Sequence, residues 1–142
     1  MEYLCAVFTL KLSIQKTMKE IISTKNAPAA IGAYSQAVKV NGMVFASGQL
    51  GINPATGDFA GPDFRSQAEQ SLKNVKALVE TAGSSMAQVV KVSVFLADMA
   101  DFAALNEIYS QYFPAPFPAR SAVAVKTLPK GGLIEIEVIA EA

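Results

Sequence analysis

Ala37-Val38-Lys39-Val40-Asn41-Gly42-Met43-Val44-Phe45-Ala46-Ser47 reads as two short strands closed by a two-residue turn. Asn-Gly accepts the left-handed backbone that a tight hairpin demands, and the residues on either side favour extended structure. Before the hairpin, Lys19 to Ser23 has the character of a short strand, followed by a loop through Asn26-Ala27-Pro28. After it, Asn53-Pro54 and Thr56-Gly57-Asp58 mark Gly48 to Pro62 as turns and irregular loop.

A helix is expected from about Phe64 to Ala82, where Ala68, Leu72, Val75, Val79 and Ala82 recur at the helical period and Leu78 widens the stripe. Asp63 or Ser66 caps it, the latter with Glu69 as a capping box, and Gly83 ends it. Val89 to Leu96 reads as a strand with Val90, Val92, Val94 and Leu96 on one face. Asp98 or Asp101 opens a second helix through Phe113, with Phe102, Leu105, Ile108 and Tyr112 inward. Pro114, Pro116 and Pro118 stop it and force an extended lead into Arg120. Ser121 to Val125 and Leu133 to Ala140 are strands, expected to pair across a turn at Pro129-Lys130-Gly131-Gly132.

The resulting order, β-ββ-α-β-α-ββ, is that of an α+β domain with both helices on one face of a sheet. The other face then lacks cover, and self-association is the natural way to bury it if it is apolar. Met18-Lys19-Glu20-Ile21-Ile22 resembles an ordinary protein start, so residues 1–17 are expected to be an N-terminal extension ahead of a domain at 18–142. Leu4 to Leu10 is apolar but is preceded by Glu2 and no basic residue, which makes a poor secretory signal, and no stretch is long enough for a membrane-spanning helix. A cytoplasmic protein is expected.

The residue types that are missing narrow the chemistry further. There is no histidine, which removes Ser-His-Asp and Cys-His catalysis and histidine-ligated metals. The single cysteine, Cys5, cannot form a disulfide within the chain or a Cys-rich metal site. Lys+Arg and Asp+Glu balance at 12 each, against the basic excess of an electrostatic nucleic-acid binder. No phosphate-binding glycine motif occurs. Arg, Glu, Tyr, Ser, Asn and backbone groups remain.

Arg120 stands at the mouth of an apolar strand, in Phe117-Pro118-Ala119-Arg120-Ser121-Ala122-Val123. A guanidinium taken from water unpaired is unfavourable by several kcal/mol, so an anionic partner is expected, whether a protein carboxylate or a ligand's. In Leu133-Ile134-Glu135-Ile136-Glu137, two carboxylates share one strand face. Pairing of the last two strands brings Glu135 toward Arg120, either as a structural ion pair or as part of a site; glutamates that merely face water are the third reading. Tyr34 suits packing, Ser47-Gly48 a strand-end turn or a close backbone approach, and Asn106 a solvent-facing helix position.

Taken together, these segments resemble the Rid (YjgF/RidA) family of reactive-intermediate deaminases. The resemblance is carried by Asn26-Ala27-Pro28-Ala29-Ala30-Ile31-Gly32-Ala33-Tyr34-Ser35-Gln36-Ala37, Ala46-Ser47-Gly48-Gln49, Gln70-Ser71-Leu72-Lys73-Asn74-Val75, Phe117-Pro118-Ala119-Arg120-Ser121 and Ile134-Glu135-Ile136-Glu137. It implies a chorismate-mutase-like fold, a homotrimer with clefts between subunits, and hydrolysis of 2-imino acids such as 2-iminobutanoate and 2-iminopropanoate to 2-oxo acids and ammonia. By the same resemblance, Arg120 clamps the substrate carboxylate and Glu135 orients or activates water. Tyr34 would reach the cleft from a neighbouring subunit, while Ser47, Gly48, Asn106 and Ala122 line it. Protonated imines are good electrophiles, so no cofactor or metal is expected. Many imine-deaminating members carry cysteine where this chain has Ala122, which removes any thiol chemistry there. Some relatives are described as endoribonucleases or translation inhibitors, and a non-catalytic carboxylate binder is a third possibility. Neutral charge and the lack of histidine disfavour the nuclease, and nucleic acid is not an expected partner.

Overall fold

The computed structural model describes residues 18–142; the expectations for the extension, Leu4 to Leu10 and Cys5 lie outside the described residues. Six strands form one sheet: β1 (Glu20–Ile22), β2 (Ala37–Val40), β3 (Met43–Leu50), β4 (Val89–Leu96), β5 (Ala119–Ala124) and β6 (Ile134–Glu141). Helices α1 (Phe64–Thr81) and α2 (Phe102–Tyr112) occupy the connections before β4 and β5. The expected order of elements is the observed one, and the α+β class with it.

Asn41 and Gly42 both take positive φ, 51° and 71°, and close β2 onto β3 with Val40 opposite Met43. This is the backbone that the Asn-Gly pair was expected to supply. Asp63, rather than Ser66, caps α1: its carboxylate accepts from the Ser66 backbone N–H at 3.0 Å and the Ser66 hydroxyl at 2.7 Å. Gly83, at φ 85°, turns the chain out of the helix.

The strand order is β1-β2-β3-β6-β4-β5, and this corrects the sequence reading at one important point. β5 and β6 do not pair. β5 lies parallel to β4 at the sheet edge, linked to it by α2, while β6 enters antiparallel between β3 and β4. A crossover through a helix delivers a parallel strand, and β6 then fills the interior gap where both its edges are bonded. A short glycine-rich turn suggested a hairpin; the Pro129–Gly131 turn instead carries the chain from the edge into the centre.

One face of the sheet packs on the helices. Val44, Val92, Val94, Leu96, Ile134, Ile136, Val138 and Ala140 meet Ala68, Leu72, Val75 and Val79 of α1 and Leu105 and Ile108 of α2 in one buried cluster. Each fully buried Val, Leu or Ile side chain there contributes about 1.5–3 kcal/mol. Val90 departs from expectation: a register shift between Val89 and Lys91 turns Val89 inward, and Val90 is exposed. The second face has no cover among the described residues. Ile21, Phe45 and Val123 stand on it 45–53% exposed.

Candidate active site

A cleft of about 660 Å³ opens on the uncovered side, lined by Tyr34, Ser47, Gly48, Lys130 and Glu135 among others. Its centre is a bulge in β3. Ala46 pairs with Val138 and Gln49 with Ile136, so three steps along β3 oppose two along β6, and the extra residue falls in Ser47-Gly48. Both residues lie within the strand, whereas the sequence suggested that β3 stops at Ser47.

Gly48 leaves room for what lies above it. A Cβ there would meet the Glu135 carboxylate carbon at 2.7 Å, so a larger residue would push the glutamate side chain out of its place against the β3 backbone. Burial raises the Glu135 carboxyl above its ordinary value of 4.5, and the neighbouring Glu137 charge adds to the rise. No salt bridge or side-chain hydrogen bond to Glu135 occurs among the described residues. It is a half-buried carboxyl facing the cleft.

Buried amides hold the cleft walls. The Gln36 amide accepts from Thr24 N–H at 2.7 Å and donates to the carbonyls of Thr24, Ala27 and Pro28 at 3.0, 3.2 and 2.8 Å, pinning the loop that leads to Tyr34. The Ser47 hydroxyl donates to the Ser35 carbonyl at 2.7 Å. Tyr34 is 53% exposed, and its hydroxyl accepts from Ile31 N–H at 3.3 Å. That arrangement leaves the phenolic proton available to donate.

Beneath the cleft, α1 presents a polar column beside its apolar stripe. Gln67, Ser71 and Asn74, spaced i, i+4 and i+7, are all buried. Ser71 donates to Gln49 O at 2.7 Å, and Asn74 donates to Leu50 O at 3.1 Å and Ile52 O at 2.9 Å. Gln67 accepts from Leu133 N–H at 2.9 Å, two residues before Glu135. Ser71 and Asn74 lie in the segment Gln70–Val75 that carries the resemblance, but the column they form with Gln67 is not among the expected site residues; three amide or hydroxyl residues at helical spacing on an otherwise apolar helix are its signature. Lys130, at φ 57° in the turn before β6, was also passed over as a cleft residue.

Arg120, Ala122 and Asn106 lie elsewhere. Arg120 pairs with Val92 and Glu135 with Phe95, and side chains three apart on β4 point to opposite faces. Arg120 therefore sits on the helix side of the edge strand, two strands away from Glu135 and across the sheet from it. Ala122 shares its face, partly packed on the core. The guanidinium lies over the rings of Tyr109, at 4.7 Å, and Phe102, at 5.5 Å. Asn106 is exposed on α2 one turn from each ring. Of the chain's two arginines, Arg65 is ion-paired with Glu107 at 2.8 Å, whereas Arg120 has no anionic partner among the described residues.

The expected residues thus fall into two groups, Tyr34, Ser47, Gly48 and Glu135 in the cleft and Arg120, Asn106 and Ala122 at the β5 edge. No group of acidic or sulfur ligands among the described residues is arranged to hold a metal.

Known proteins share this architecture. Reactive Intermediate Deaminase A, chloroplastic, of Arabidopsis thaliana is 49% identical over 132 residues, covering 93% of this chain and 71% of its own. The goat (Capra hircus) 2-iminobutanoate/2-iminopropanoate deaminase is 50% identical over 123 residues, 87% of this chain and 90% of its own. The crystal structure of E. coli TdcF with bound serine superposes with a TM-score of 0.83 at 46% identity, over 87% of this chain and 98% of that one. Residues 24–142 match the family described as Endoribonuclease L-PSP, and this chain belongs to that family.

Proposed function

We propose that this protein hydrolyses reactive 2-imino acids to 2-oxo acids and ammonia. Its relatives from Arabidopsis and goat carry deaminase names, and TdcF holds an amino acid, serine. The observation that carries the reading is Glu135: a half-buried carboxyl with raised proton affinity, against the Gly48 backbone and open to a cleft of substrate size. In its ionised form it accepts a proton from water as the oxygen attacks C2 of the iminium. The tetrahedral carbinolamine then takes that proton from Glu135 on nitrogen and expels ammonia, while the Glu135 carboxylate takes up the hydroxyl proton and leaves the 2-oxo acid. The iminium carries its own positive charge, so electrostatic positioning is enough to promote attack.

The substrate carboxylate needs a cation, and we assign it to Arg120 of a neighbouring subunit. The segregation of Arg120 and Glu135 onto opposite faces supports a site completed between copies. The uncovered apolar face and the edge position of β5 support the homotrimer that such a site requires. Tyr34 would donate its phenolic proton to the substrate, with Ser47 and Gly48 shaping the cleft wall and Asn106 and Ala122 flanking the arginine. We take the cytoplasm as the compartment; no described helix is long and apolar enough to cross a membrane.

A coupled assay tests this. Threonine dehydratase generates 2-iminobutanoate, and acceleration of 2-oxobutanoate formation by wild type but not by Arg120→Ala is expected. The family's description raises RNA cleavage as a second reading, which nuclease activity surviving Arg120→Ala would favour.

A further inference from the structure

Arg120 has lost the water that normally solvates a guanidinium on one side, yet no carboxylate of the described chain replaces it. What replaces it is aromatic. Phe102 and Tyr109, seven residues apart on one side of α2, present their rings to the guanidinium carbon at 5.5 and 4.7 Å. Tyr109 is itself backed by Phe113, with ring centroids 4.4 Å apart, and Phe113 is 1% exposed. The ring under the arginine is therefore fixed by the core.

We propose that Phe102 and Tyr109 are positioning residues that hold the Arg120 guanidinium by its flat face and so leave its N–H edge for a substrate carboxylate. This rests on the functional reading above. A protein carboxylate would orient the arginine equally well but would occupy the donors that the substrate needs. A ring face attracts the cation without accepting any of its in-plane N–H bonds. The Tyr109 hydroxyl takes no part: it is buried and has no hydrogen-bond partner among the described residues. Burial also pushes it up to about 12, so the ring stays neutral under the cation.

Two substitutions separate the ring from the hydroxyl. Phe102 is only partly buried, so Phe102→Leu keeps apolar volume while removing the ring face. It is expected to raise KM for the imino acid on the order of three- to tenfold, with kcat within about twofold of wild type. Tyr109→Phe keeps the face and should retain the wild-type KM. A folded Phe102→Leu protein with wild-type KM would overturn the proposal, as would a Tyr109→Phe protein that loses activity like Arg120→Ala. If Phe102→Leu fails to fold, Phe102→Tyr must keep the wild-type KM, and a rise there also overturns it. A wild-type protein with no turnover at all defeats the functional reading instead, which keeps the two failures distinct.

Discussion

The cleft around Glu135 and the shelf that carries Arg120 are built in opposite ways. The cleft depends on irregular backbone: a bulge at Ser47-Gly48, a loop pinned by Gln36, and a floor held by Gln67, Ser71 and Asn74. The shelf is regular, a parallel edge strand against one side of a helix, with its cation resting on two rings. Each region holds a charged group without a counterion among the described residues. The contrast teaches that two half-sites can be stable separately and complementary only to one another. The cleft offers a base that no cation of the described residues salt-bridges, and the shelf offers a cation that no carboxylate salt-bridges.

The largest effects should come from removing either charged group. Arg120→Ala and Glu135→Gln are each expected to lower kcat/KM on the order of 100- to 1,000-fold, the former mainly through KM and the latter mainly through kcat. Steady-state kinetics in the coupled assay would check this. Equal KM increases in both variants would erase the functional difference between the regions.

Next come substitutions that should damage only the irregular half. Asn74→Ala strands the Leu50 and Ile52 carbonyls and is expected to destabilise by roughly 1–3 kcal/mol in denaturant unfolding. Gly51→Ala drives a Cβ into the α1 backbone, 2.7 Å from the Gln67 carbonyl carbon, with a loss of about 1–3 kcal/mol. Unchanged unfolding midpoints would mean that the cleft floor is not held by α1.

These two regions also differ in how far the sequence revealed them. Asn41-Gly42 and the Leu72–Val75–Val79 stripe were legible because turn chemistry and helical period are local properties. That Tyr34, Ser47, Gly48 and Glu135 share one cleft followed only from resemblance, since the bulge joining them is set by how β3 meets β6. The passage of β6 between β3 and β4 was hidden for the same reason: a Gly-Gly turn specifies a reversal, not the neighbour that the returning strand will find. Arg120 was legible as a charge out of place. Its aromatic support was not, because Phe102 reads as an ordinary core position and the inward stripe expected from the sequence ends on Tyr112, whereas Tyr109 is the tyrosine that is buried.

A smaller effect is expected from pH. Glu135 must be ionised to accept a proton, so activity should fall on the acid side with an apparent pKa above the ordinary 4.5. Stability runs the other way. The folded state binds this proton more tightly than the unfolded state, so wild type is favoured most, relative to Glu135→Gln, below pH 4.5. That advantage declines as pH rises through the raised folded value. Glu135→Gln should accordingly match or slightly exceed wild type in Tm near neutral pH, and a clearly lower Tm there would contradict the burial argument. Smallest of all is the exposed Arg65–Glu107 pair, where Glu107→Gln should leave both kinetics and Tm nearly unchanged. A large kinetic effect there would move the arginine-dependent chemistry away from Arg120.

The central claim, that one subunit's Glu135 works with another's Arg120, is tested most directly by mixing two inactive proteins. Arg120→Ala and Glu135→Gln chains, co-expressed in equal amounts and purified as mixed assemblies, each retain what the other lacks. Sites shared between neighbours in a randomly mixed trimer should recover roughly a quarter of wild-type activity. Mixed assemblies with no activity above either parent would contradict the account.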